Sequence, residues 1–305
     1  MTIRYLTIFL AVAEYGTMSA AAKQLYLSQP TVSQAIREME QHYHGLLFER
    51  FGKKLYLTER GKLLLSHARD LVSQFEQLEE LMLSQGQNER FRLGTTLTVG
   101  TCLAPTLIGE LEETLPGLEM YSFVSNTHEI EEKLLKSELD AAVVEGEIQS
   151  PDLIVIPIIE DCLVLGCGSQ HPFFEKTQIS NSELNGQCFA MREQGSGTRQ
   201  LFEDYIKRHD ISIKVTWEAN CPRTIINAVI WNKVLSVMSL RLLTHELAHE
   251  KIRVFYDEKQ EWNRKFKLVY HKNKFLTPAI YELEKILYQH KEMKLPKEYG
   301  ILIHR

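Results

Sequence analysis

The segment that begins at Ser28 carries side chains whose types and spacing suit hydrogen bonding to DNA bases. Ser28 is a good helix N-cap, and Pro30 fits the first helical turn, where its missing N–H leaves no bond unmade. Val32, Ile36 and Met39 follow at i, i+4 and i+7 and are expected to face the core. The opposite face carries the candidate DNA contacts of this helix, which are Ser28, Gln29, Pro30, Thr31, Ser33, Gln34 and Arg37.

These side chains match the chemistry of the major groove. Glutamine can bind adenine through two hydrogen bonds, serine and threonine both donate and accept, and arginine can bind a phosphate. A helix with such residues on its outward N-terminal half is suited to lie against base edges. An ordinary solvated helix with a polar face is the alternative, and the helix alone does not decide between the two.

A second feature, over residues 46–58, favours DNA. The pattern predicts two short strands around the tip Gly52-Lys53-Lys54, a wing that would bring cations to the DNA backbone beside the groove. The candidate phosphate contacts of this wing are Arg50, Lys53 and Lys54.

Two helices are predicted ahead of Ser28. Residues 3–15 are amphipathic, with Ile3, Leu6, Phe9, Leu10 and Ala13 expected on one face, and the glycine that follows would end the helix. Residues 19–25 are mostly small, which would let another helix approach closely, as the corner of a helix-turn-helix requires.

A long helix is predicted over residues 58–88, capped by Thr58. Its apolar residues recur at heptad spacing, which is typical of a two-stranded coiled coil. A dimer formed in this way would place two N-terminal helix-turn-helix units on one axis, where they could bind a pseudo-palindromic site. Packing of this helix on its own domain is the alternative. The candidate dimer residues are Leu64, Ala68, Leu71, Phe75, Leu78 and Met82.

From Phe91 onward, short apolar runs alternate with amphipathic stretches, which predicts strands and helices in βαβ units with a mainly parallel sheet. The polar residues 84–89 are the predicted hinge ahead of them. The predicted strands are Phe91–Thr96, Leu118–Val124, Leu139–Glu145, Leu163–Cys167, Val234–Ser239 and Phe266–Tyr270.

The N-terminal segment of predicted short helices and wing, which we call the head, resembles the DNA-binding domain of LysR-type transcriptional regulators. The resemblance lies in residues 19–25, 27–36, 47–50 and 57–58. Two departures stand out. The wing tip holds lysines where the family usually has a second arginine, so charge is kept but a bidentate fork is absent. Arg60 also stands where the family usually has an alanine before glycine.

The resemblance continues through the rest of the chain, which we call the body, and it implies how the whole chain is divided into domains. It implies an all-α winged helix-turn-helix over residues 1–57, a linker and dimerisation helix with its hinge over 58–88, and an α/β effector domain over 89–305. That last domain would consist of two subdomains, like a periplasmic binding protein, crossed near Glu160 and Lys265. The first would hold residues 89–160 and 266–305, and the second residues 161–265.

The cleft between these subdomains is the expected effector site. In α/β sheets ligands collect where strands end and helices begin, and helix N-termini favour anions. Ordinary helix capping is the alternative for each hydroxyl or amide residue there. Glu145 would repel an anion unless an arginine pairs with it, and Arg192 and Arg223 are candidates to add positive charge. The candidate effector residues are Thr95, Thr96, Thr98, Asn126, Thr127, Glu145, Gly195, Ser196, Gly197, Thr198 and Arg199.

The body looks closest to a family branch linked to sulfur assimilation and sulfite response, which favours a small oxyanion or carboxylate as effector. The resemblance also implies a homodimer or homotetramer, double-stranded DNA as partner, and RNA polymerase as a further partner. It implies neither a cofactor nor a metal.

Four alternatives are weighed against this function. His245-Glu246-Leu247-Ala248-His249 matches the H-E-x-x-H pattern of zinc hydrolases, although its flanks predict only a short helix between strands. Gly195–Thr198 lacks both the nucleophile elbow of serine hydrolases and the ending of a phosphate loop, so no catalytic residue is assigned. A cysteine-based redox sensor would rest on Cys102 or Cys221. A scaffold with a degenerate cleft is the last alternative.

Composition agrees with a DNA-binding head on a different kind of body. The net charge is −5, but residues 1–60 hold seven cations and five anions, leaving −7 for the remainder. No secretory segment or long apolar run is evident, so a cytoplasmic protein without membrane contact is expected. The five scattered cysteines form no CxxC pair, which disfavours a disulfide framework.

Overall fold

The computed structural model describes residues 1–52, 54–83, 90–292 and 299–304. The chain forms two compact units, a helical head with its long helix and an α/β unit. The expected hinge, residues 84–89, lies outside the described residues. None of the helices in the described ranges has both the length and the apolarity that crossing a bilayer requires.

The head is a winged helix-turn-helix followed by a long helix, as expected. Gly16 adopts φ +68° and ends the first helix, and the Gly61 backbone N–H donates to Thr58 Oγ1 at 3.0 Å, so Thr58 caps the long helix. The elements are α1 Ile3–Tyr15, α2 Met18–Gln24, α3 Gln29–His42, β1 Phe48–Phe51, β2 Lys54–Leu57 and α4 Glu59–Leu83.

One apolar core holds the head together, and α1 runs through its middle. Because α2, α3 and α4 all pack against α1, residues outside its predicted face are also buried: Ile8, Ala11 and Val12 join Leu6 and Phe9. Ile3, Leu10 and Ala13 are only partly buried at the edge of this core.

The α/β unit contains twelve strands and seven helices within the described residues. They are β3 Arg90–Thr96, α5 Leu97–Cys102, α6 Ala104–Thr114, β4 Glu119–Ser125, α7 Thr127–Leu135, β5 Ala141–Val144, β6 Leu153–Asp161, β7 Leu163–Gly168, β8 Gln178–Ser180, β9 Cys188–Arg192, α8 Gly197–Arg208, β10 Lys214–Ala219, α9 Pro222–Trp231, β11 Leu235–Ser239, α10 Thr244–Ala248, β12 Ile252–Asp257, β13 Arg264–His271, α11 Pro278–Gln289 and β14 Gly300–Ile303.

These strands form two sheets, and the chain passes from one to the other between β6 and β7 and returns between β12 and β13. The first sheet has the order β4-β3-β5-β13-β6 and the second β10-β9-β11-β7-β12-β14-β8. Each is mixed rather than mainly parallel: β13 is antiparallel to β5 and β6, and β7 is antiparallel to β11 and β12. The reason is topological, since the strands that leave and re-enter the first sheet run side by side in opposite directions.

The C-terminal strand corrects the expected partition. Residues 266–305 were expected in the first subdomain, but β14 pairs with β12 and β8 and therefore belongs to the second sheet. The chain thus crosses a third time after α11. Gly300 permits the pairing, because a methyl group on its Cα would lie 2.3 Å from the Phe255 ring, and Leu302 is buried in the core of this sheet.

Candidate functional site

The polar face of α3 is turned to solvent because the opposite face is anchored in the core. Val32 is fully buried, and Ile36 and Met39 are each 1% exposed. At the N-terminus, the Thr31 backbone N–H donates to Ser28 Oγ at 3.3 Å, which confirms the predicted cap. The residues of the outward face that are exposed are Ser28, Gln29, Pro30, Thr31, Gln34 and Arg37, while Ser33 is half-buried.

A hydrogen-bonded chain fixes the middle of this face. Arg37 Nη2 donates to Gln34 Oε1 at 3.1 Å, Gln34 Nε2 donates to Glu38 Oε1 at 2.7 Å, and Tyr5 OH donates to Glu38 Oε2 at 2.5 Å. The bond from Tyr5 lowers the pKa of Glu38 and raises the pKa of Tyr5. Gln29 makes no side-chain hydrogen bond within the described residues. Its amide is therefore freer than that of Gln34 to bond to a base edge.

The wing forms as predicted. Strands β1 and β2 are antiparallel, with Arg50 opposite Leu55 and Phe51 opposite Lys54. Gly52 adopts φ +63° at the tip, and Arg50 Nε donates to its carbonyl oxygen at 3.1 Å. Lys53 lies outside the described residues.

Arg60, one of the two departures from the family pattern, has a structural role. Its Nη1 donates to the carbonyl oxygens of Tyr43 and His44 at 2.8 and 2.9 Å, which ties the end of α3 to the start of α4. The guanidinium passes so close to Gly45 that a methyl group there would lie 2.0 Å from Arg60 Nη1.

The predicted seam of α4 divides into two parts. Leu64 and Ala68 pack in the core of the head together with Val72, so for this half the alternative of packing on its own domain is the better description. The remaining four residues form an exposed apolar stripe, which we call the α4 stripe: Leu71, Phe75, Leu78 and Met82, at 50%, 38%, 54% and 74% exposure.

The helix starts in the cleft show which polar residues act as caps. Asn126 does, because its Oδ1 accepts from the Glu129 backbone N–H at 2.9 Å. Thr96 and Ser196 occupy the N-cap positions of α5 and α8, yet neither side chain accepts a capping bond. Their Oγ atoms and that of Thr95 are buried without a hydrogen-bond partner in the part of the chain that is described. We call Thr95, Thr96 and Ser196 the bare hydroxyls.

Arg264, which the sequence patterns did not single out, lies at the centre of the cleft. Its side chain is 4% exposed and donates to Asp161 Oδ2 at 2.8 Å, Thr198 Oγ1 at 2.8 Å and Glu145 Oε2 at 3.3 Å. It joins the end of β5, the strand β6 that leaves the first sheet, and the first turn of α8. One signal pointed toward it, since a buried Glu145 requires a cation.

One guanidinium serves two acidic side chains in this cluster. Burial raises the pKa of Asp161, against the opposing effects of Arg264 and of Ser239, whose Oγ donates to Asp161 Oδ1 at 2.5 Å. Glu145 and Asp161 share the Arg264 guanidinium as ion-pair partners, with Arg264 Nη2 on Glu145 Oε2 and Nε on Asp161 Oδ2. Glu145 is in this way neutralised by an arginine, as an anion site would require.

The arginines expected to supply charge are engaged elsewhere. Arg199 binds Glu203 Oε1 and Glu218 Oε2, each at 2.6 Å, and also donates to a backbone carbonyl. Arg192 is paired with its neighbour Glu193. Arg223 is paired with the buried carboxylate of Glu246. Arg199 therefore positions α8 against β9 and β10 and has no donor directed to the cleft among these bonds.

Two cavities flank Arg264. The larger, about 520 Å³, is lined by Thr127, Glu145 and residues 195–197, together with Arg264 itself. The smaller, about 10 Å³, lies between Thr98, Thr198 and Ser239 among others. The loop after β5 and the start of α8 approach each other closely at two glycines, since a methyl group on Gly197 would lie 3.1 Å from Gly146 Cα.

A cavity of about 670 Å³ also borders the crossing strands, but neither Ser196 nor the start of α8 lines it, whereas both line the larger cavity at Arg264. Thr95 and Thr96 line none of these three cavities. The cleft at Arg264 is therefore the better effector site.

The hydrolase motif does not form a metalloprotease site. Helix α10 spans only Thr244–Ala248, and His249 follows its end, where the His249 ring bonds through Nδ1 to the His245 carbonyl oxygen at 2.8 Å. The Glu246 carboxylate is buried against Arg223 and is not free to act as a general base.

Most of the thiols are poor redox sensors. Burial raises the pKa of Cys102 and Cys167 to about 12 and that of Cys162 to about 11, which disfavours the reactive thiolate. Cys221 is exposed at the start of α9, where hydrogen bonds from Thr224 lower its pKa. The redox alternative therefore rests on Cys221.

Comparisons with known proteins cover both units. Residues 3–62 match the family model described as bacterial regulatory helix-turn-helix protein, lysR family, and residues 84–291 match the LysR substrate binding domain. The HTH-type transcriptional activator CmpR of Synechocystis sp. is 28% identical over 95% of this chain and 96% of its own length. The HTH-type transcriptional regulator CysL of Bacillus subtilis is 27% identical over 87% of this chain and 89% of its own.

Among solved structures, the regulatory domain of Synechocystis PCC6803 CcmR in complex with 2-PG is similar to the α/β unit. Its TM-score is 0.61 at 26% identity, and the match covers 67% of this chain and 97% of that domain.

Substitution of Arg264 by methionine tests the charge cluster. The variant should lose about 3–5 kcal/mol of unfolding free energy at pH 8, because Glu145 and Asp161 are left buried without a cation. A carboxyl whose folded-state pKa is raised stabilises the fold at low pH and loses that contribution as the pH rises. Removal of Arg264 takes away the cation that opposes this rise in pKa, so the variant's loss of unfolding free energy should be smaller at pH 5 than at pH 8. Urea unfolding followed by tryptophan fluorescence measures it, since Trp217, Trp231 and Trp262 all lie in the α/β unit.

The matched control adds Asp161→Asn to Arg264→Met, and it should recover part of the missing stability at pH 8. An equal deficit at both pH values, or one below about 1 kcal/mol, would contradict the assigned charge cluster.

Proposed function

Because this chain belongs to the LysR family of bacterial transcriptional regulators, we propose that it reads a DNA site with helix α3 and responds to a small polar effector bound around Arg264. The observation that carries this proposal is that one chain contains two candidate sites. A polar recognition face is fixed outward by a buried apolar back, and a cleft contains bare hydroxyls. With DNA as its partner, the protein would act in the bacterial cytoplasm.

In the head, Gln29 and Ser33 would contact base edges, and Arg50 and Lys54 would bind phosphates beside the groove. Gln34 and Arg37 stiffen the helix surface through their bonds to each other and to Glu38, and they can also reach the backbone of DNA. Lysine in the wing supplies charge without a bidentate fork, so sequence reading falls mainly to α3.

The dimer would form through the α4 stripe. Four large apolar side chains that remain exposed at heptad spacing are typical of a coiled-coil contact, and a single head would bind DNA weakly. Two heads on one two-fold axis would bind two half-sites separated by whole helical turns. A tetramer would pair two such dimers, and RNA polymerase would be a further partner at the promoter.

The effector would be a small molecule with hydrogen-bond acceptors, such as an oxyanion or a carboxylate. Ser196, a bare hydroxyl that lines the larger cavity, offers a donor, and the first turn of α8 adds backbone N–H groups and a partial positive charge. Binding of 2-PG to the similar CcmR domain supports a ligand of this kind. An effector that binds one cleft state better than another would shift the balance between states and so change DNA binding.

We infer that the chain works as a regulator and not as an enzyme. The ion pair between Glu246 and Arg223 and the short helix α10 support this inference for the one hydrolase motif of the sequence.

Gln29→Ala and Ser33→Ala should each reduce the preference for the specific DNA site by about 1–3 kcal/mol, because each removes a hydrogen bond to a base edge, with a small change in non-specific binding. Lys54→Ala should instead weaken binding to all sequences and reduce its salt dependence. Fluorescence anisotropy at two salt concentrations measures both, on a DNA site selected by the wild-type dimer and on a scrambled duplex. Equal weakening on both duplexes in the Gln29 and Ser33 variants would contradict base reading.

Leu71→Glu combined with Leu78→Glu should convert the dimer to monomers at micromolar concentration, because four carboxylates per dimer would face each other in an apolar seam. Sedimentation velocity measures the species present. Ser66→Glu is the control, since Ser66 is exposed on α4 outside the stripe. Dimers of unchanged affinity in the double variant would rule out the α4 stripe as the interface.

Ser196→Ala should leave the melting temperature of the free protein nearly unchanged, since its hydroxyl has no partner within the described residues, but it should abolish ligand stabilisation. The probes are sulfite, sulfate, thiosulfate, acetylserine and simple carboxylates. At least one should raise the wild-type melting temperature by about 5 °C near saturation. Ser122→Ala, on the exposed face of β4, is the control and should respond as the wild type does.

A wild-type protein that responds to none of these probes would favour the degenerate-cleft alternative. A response that survives in Ser196→Ala would remove that hydroxyl from the site.

A further inference from the structure

A second cluster of polar side chains lies in the second subdomain, apart from Arg264. His209 follows the last residue of α8, Glu261 lies between β12 and β13, and His304 follows β14. His209 Nε2 is 3.1 Å from Glu261 Oε2, and His304 Nδ1 is 3.3 Å from Glu261 Oε1. One nitrogen or oxygen atom from each residue lies within 4.8 Å of the others. Three distant parts of the chain therefore bring potential metal ligands to one point.

The imidazole of His304 indicates that a cation belongs there. Its side chain is 3% exposed, and its Nε2 bonds to the fully buried carboxylate of Asp257. The other ring nitrogen, Nδ1, is buried and has no hydrogen-bond partner in the described ranges, although it faces a Glu261 oxygen. When Nε2 carries the ring proton, Nδ1 and the carboxylate present two lone pairs to each other, an arrangement that a shared cation stabilises.

Asp257 holds the His304 ring and the backbone at Glu261 in place through hydrogen bonds. Besides the His304 ring, its carboxylate accepts the backbone N–H of Glu261 at 2.5 Å and that of Lys259 at 3.2 Å. A histidine that ligates a metal usually donates its other N–H to a carboxylate, which fixes the ring and its tautomer. The bond between His304 and Asp257 has this form.

We propose that His209, Glu261 and His304 form a binding site for one divalent transition-metal ion, for which Zn²⁺ is the probe. Two imidazole nitrogens and a carboxylate are a ligand set that zinc accepts, with a fourth position left for water. Ligands about 2.0–2.1 Å from a tetrahedral ion lie roughly 3.3 Å apart, which is the spacing between His304 Nδ1 and Glu261 Oε1. The site differs from the H-E-x-x-H segment, whose glutamate is held by Arg223.

Other groups around the site affect how it would be filled. Arg208 Nη1 lies 2.5 Å from Glu261 Oε2 and competes with a metal for that oxygen, but its side chain is 53% exposed and can turn to solvent. The Tyr205 hydroxyl lies 3.3 Å from His304 Nε2 and donates to Asn181 Oδ1, and burial raises the pKa of that tyrosine. Glu261 Oε1 and the two imidazoles remain for the ion.

Metal binding would fasten the C-terminal strand. β14 is a four-residue strand between β12 and the three-residue β8, and His304 directly follows it. A bond from His304 through the ion to His209 would join the end of this strand to α8, whose first turn contacts Arg264. Metal occupancy would therefore stabilise the second subdomain, whether or not the cleft binds an effector.

The test uses full-length protein freed of metal by a chelator and titrated with Zn²⁺ alone against a chromophoric competitor. The wild type should bind one Zn²⁺ per chain at micromolar or lower concentration and melt at a higher temperature when loaded. His209→Gln and His304→Gln should each weaken binding by about 100-fold or more, and Asp257→Asn by about 10–100-fold. The control combines His245→Gln with His249→Gln and should bind as the wild type does.

His209 is partly exposed at a helix end, so its variant should fold even if the His304 variant does not, and circular dichroism checks this. A wild type that binds no Zn²⁺ at micromolar concentration would overturn the proposal. So would undiminished affinity in a folded His209→Gln variant, or an absence of binding in the control.

Discussion

The arrangement of the α/β unit depends on one buried cation. Arg264 begins the strand that returns to the first sheet, and its three bonds reach Glu145, Asp161 and Thr198, which belong to different parts of the cleft. An arginine in such a position cannot leave without exposing two carboxylates to an apolar interior, so the crossing strands and α8 are held in one geometry. Arg264 lines the larger cavity and donates to Thr198, which lines the smaller one, so an effector bound as proposed would change the partners of this cation. The proposed effector response and the cohesion of the unit would then depend on the same contacts.

The head follows a simpler constraint. Its recognition helix has a fully apolar back, and the core that receives this back also takes in the first half of α4. The orientation of α3 and the start of the long helix are consequently set by one packing arrangement. The exposed apolar stripe begins only where α4 leaves that core, which explains why the heptad pattern is longer than the surface available to a partner. The proposed DNA-contacting face of α3 and the proposed dimer contact on the α4 stripe are therefore separate surfaces supported by one core.

Much of this was predictable from the sequence, and the exceptions have physical causes. The six predicted strands all form. Five of them are largely buried and are therefore short apolar runs, whereas β4 is largely exposed but still carries enough apolar residues to be recognised. The outward helix α3 and the wing follow from capping and periodicity. Strands such as β10, which is largely exposed, and β14, which has four residues, give little signal. Arg264 was missed because its acidic partners lie 119 and 103 residues away in the chain. Local sequence cannot show such a pairing, although the need of Glu145 for a cation pointed to it. Arg199 lies in the predicted motif, but two nearby glutamates hold it away from the cleft.

The most direct test of this account is the nitrogen NMR spectrum of the Arg264 guanidinium in the full-length protein, assigned by its disappearance in Arg264→Met. A side chain held by Glu145, Asp161 and Thr198 should show slow rotation about its Cζ–Nε bond, with separate resonances for the two Nη groups. A single averaged Nη resonance, as an arginine free in solvent gives, would contradict the claim that this residue fixes the cleft.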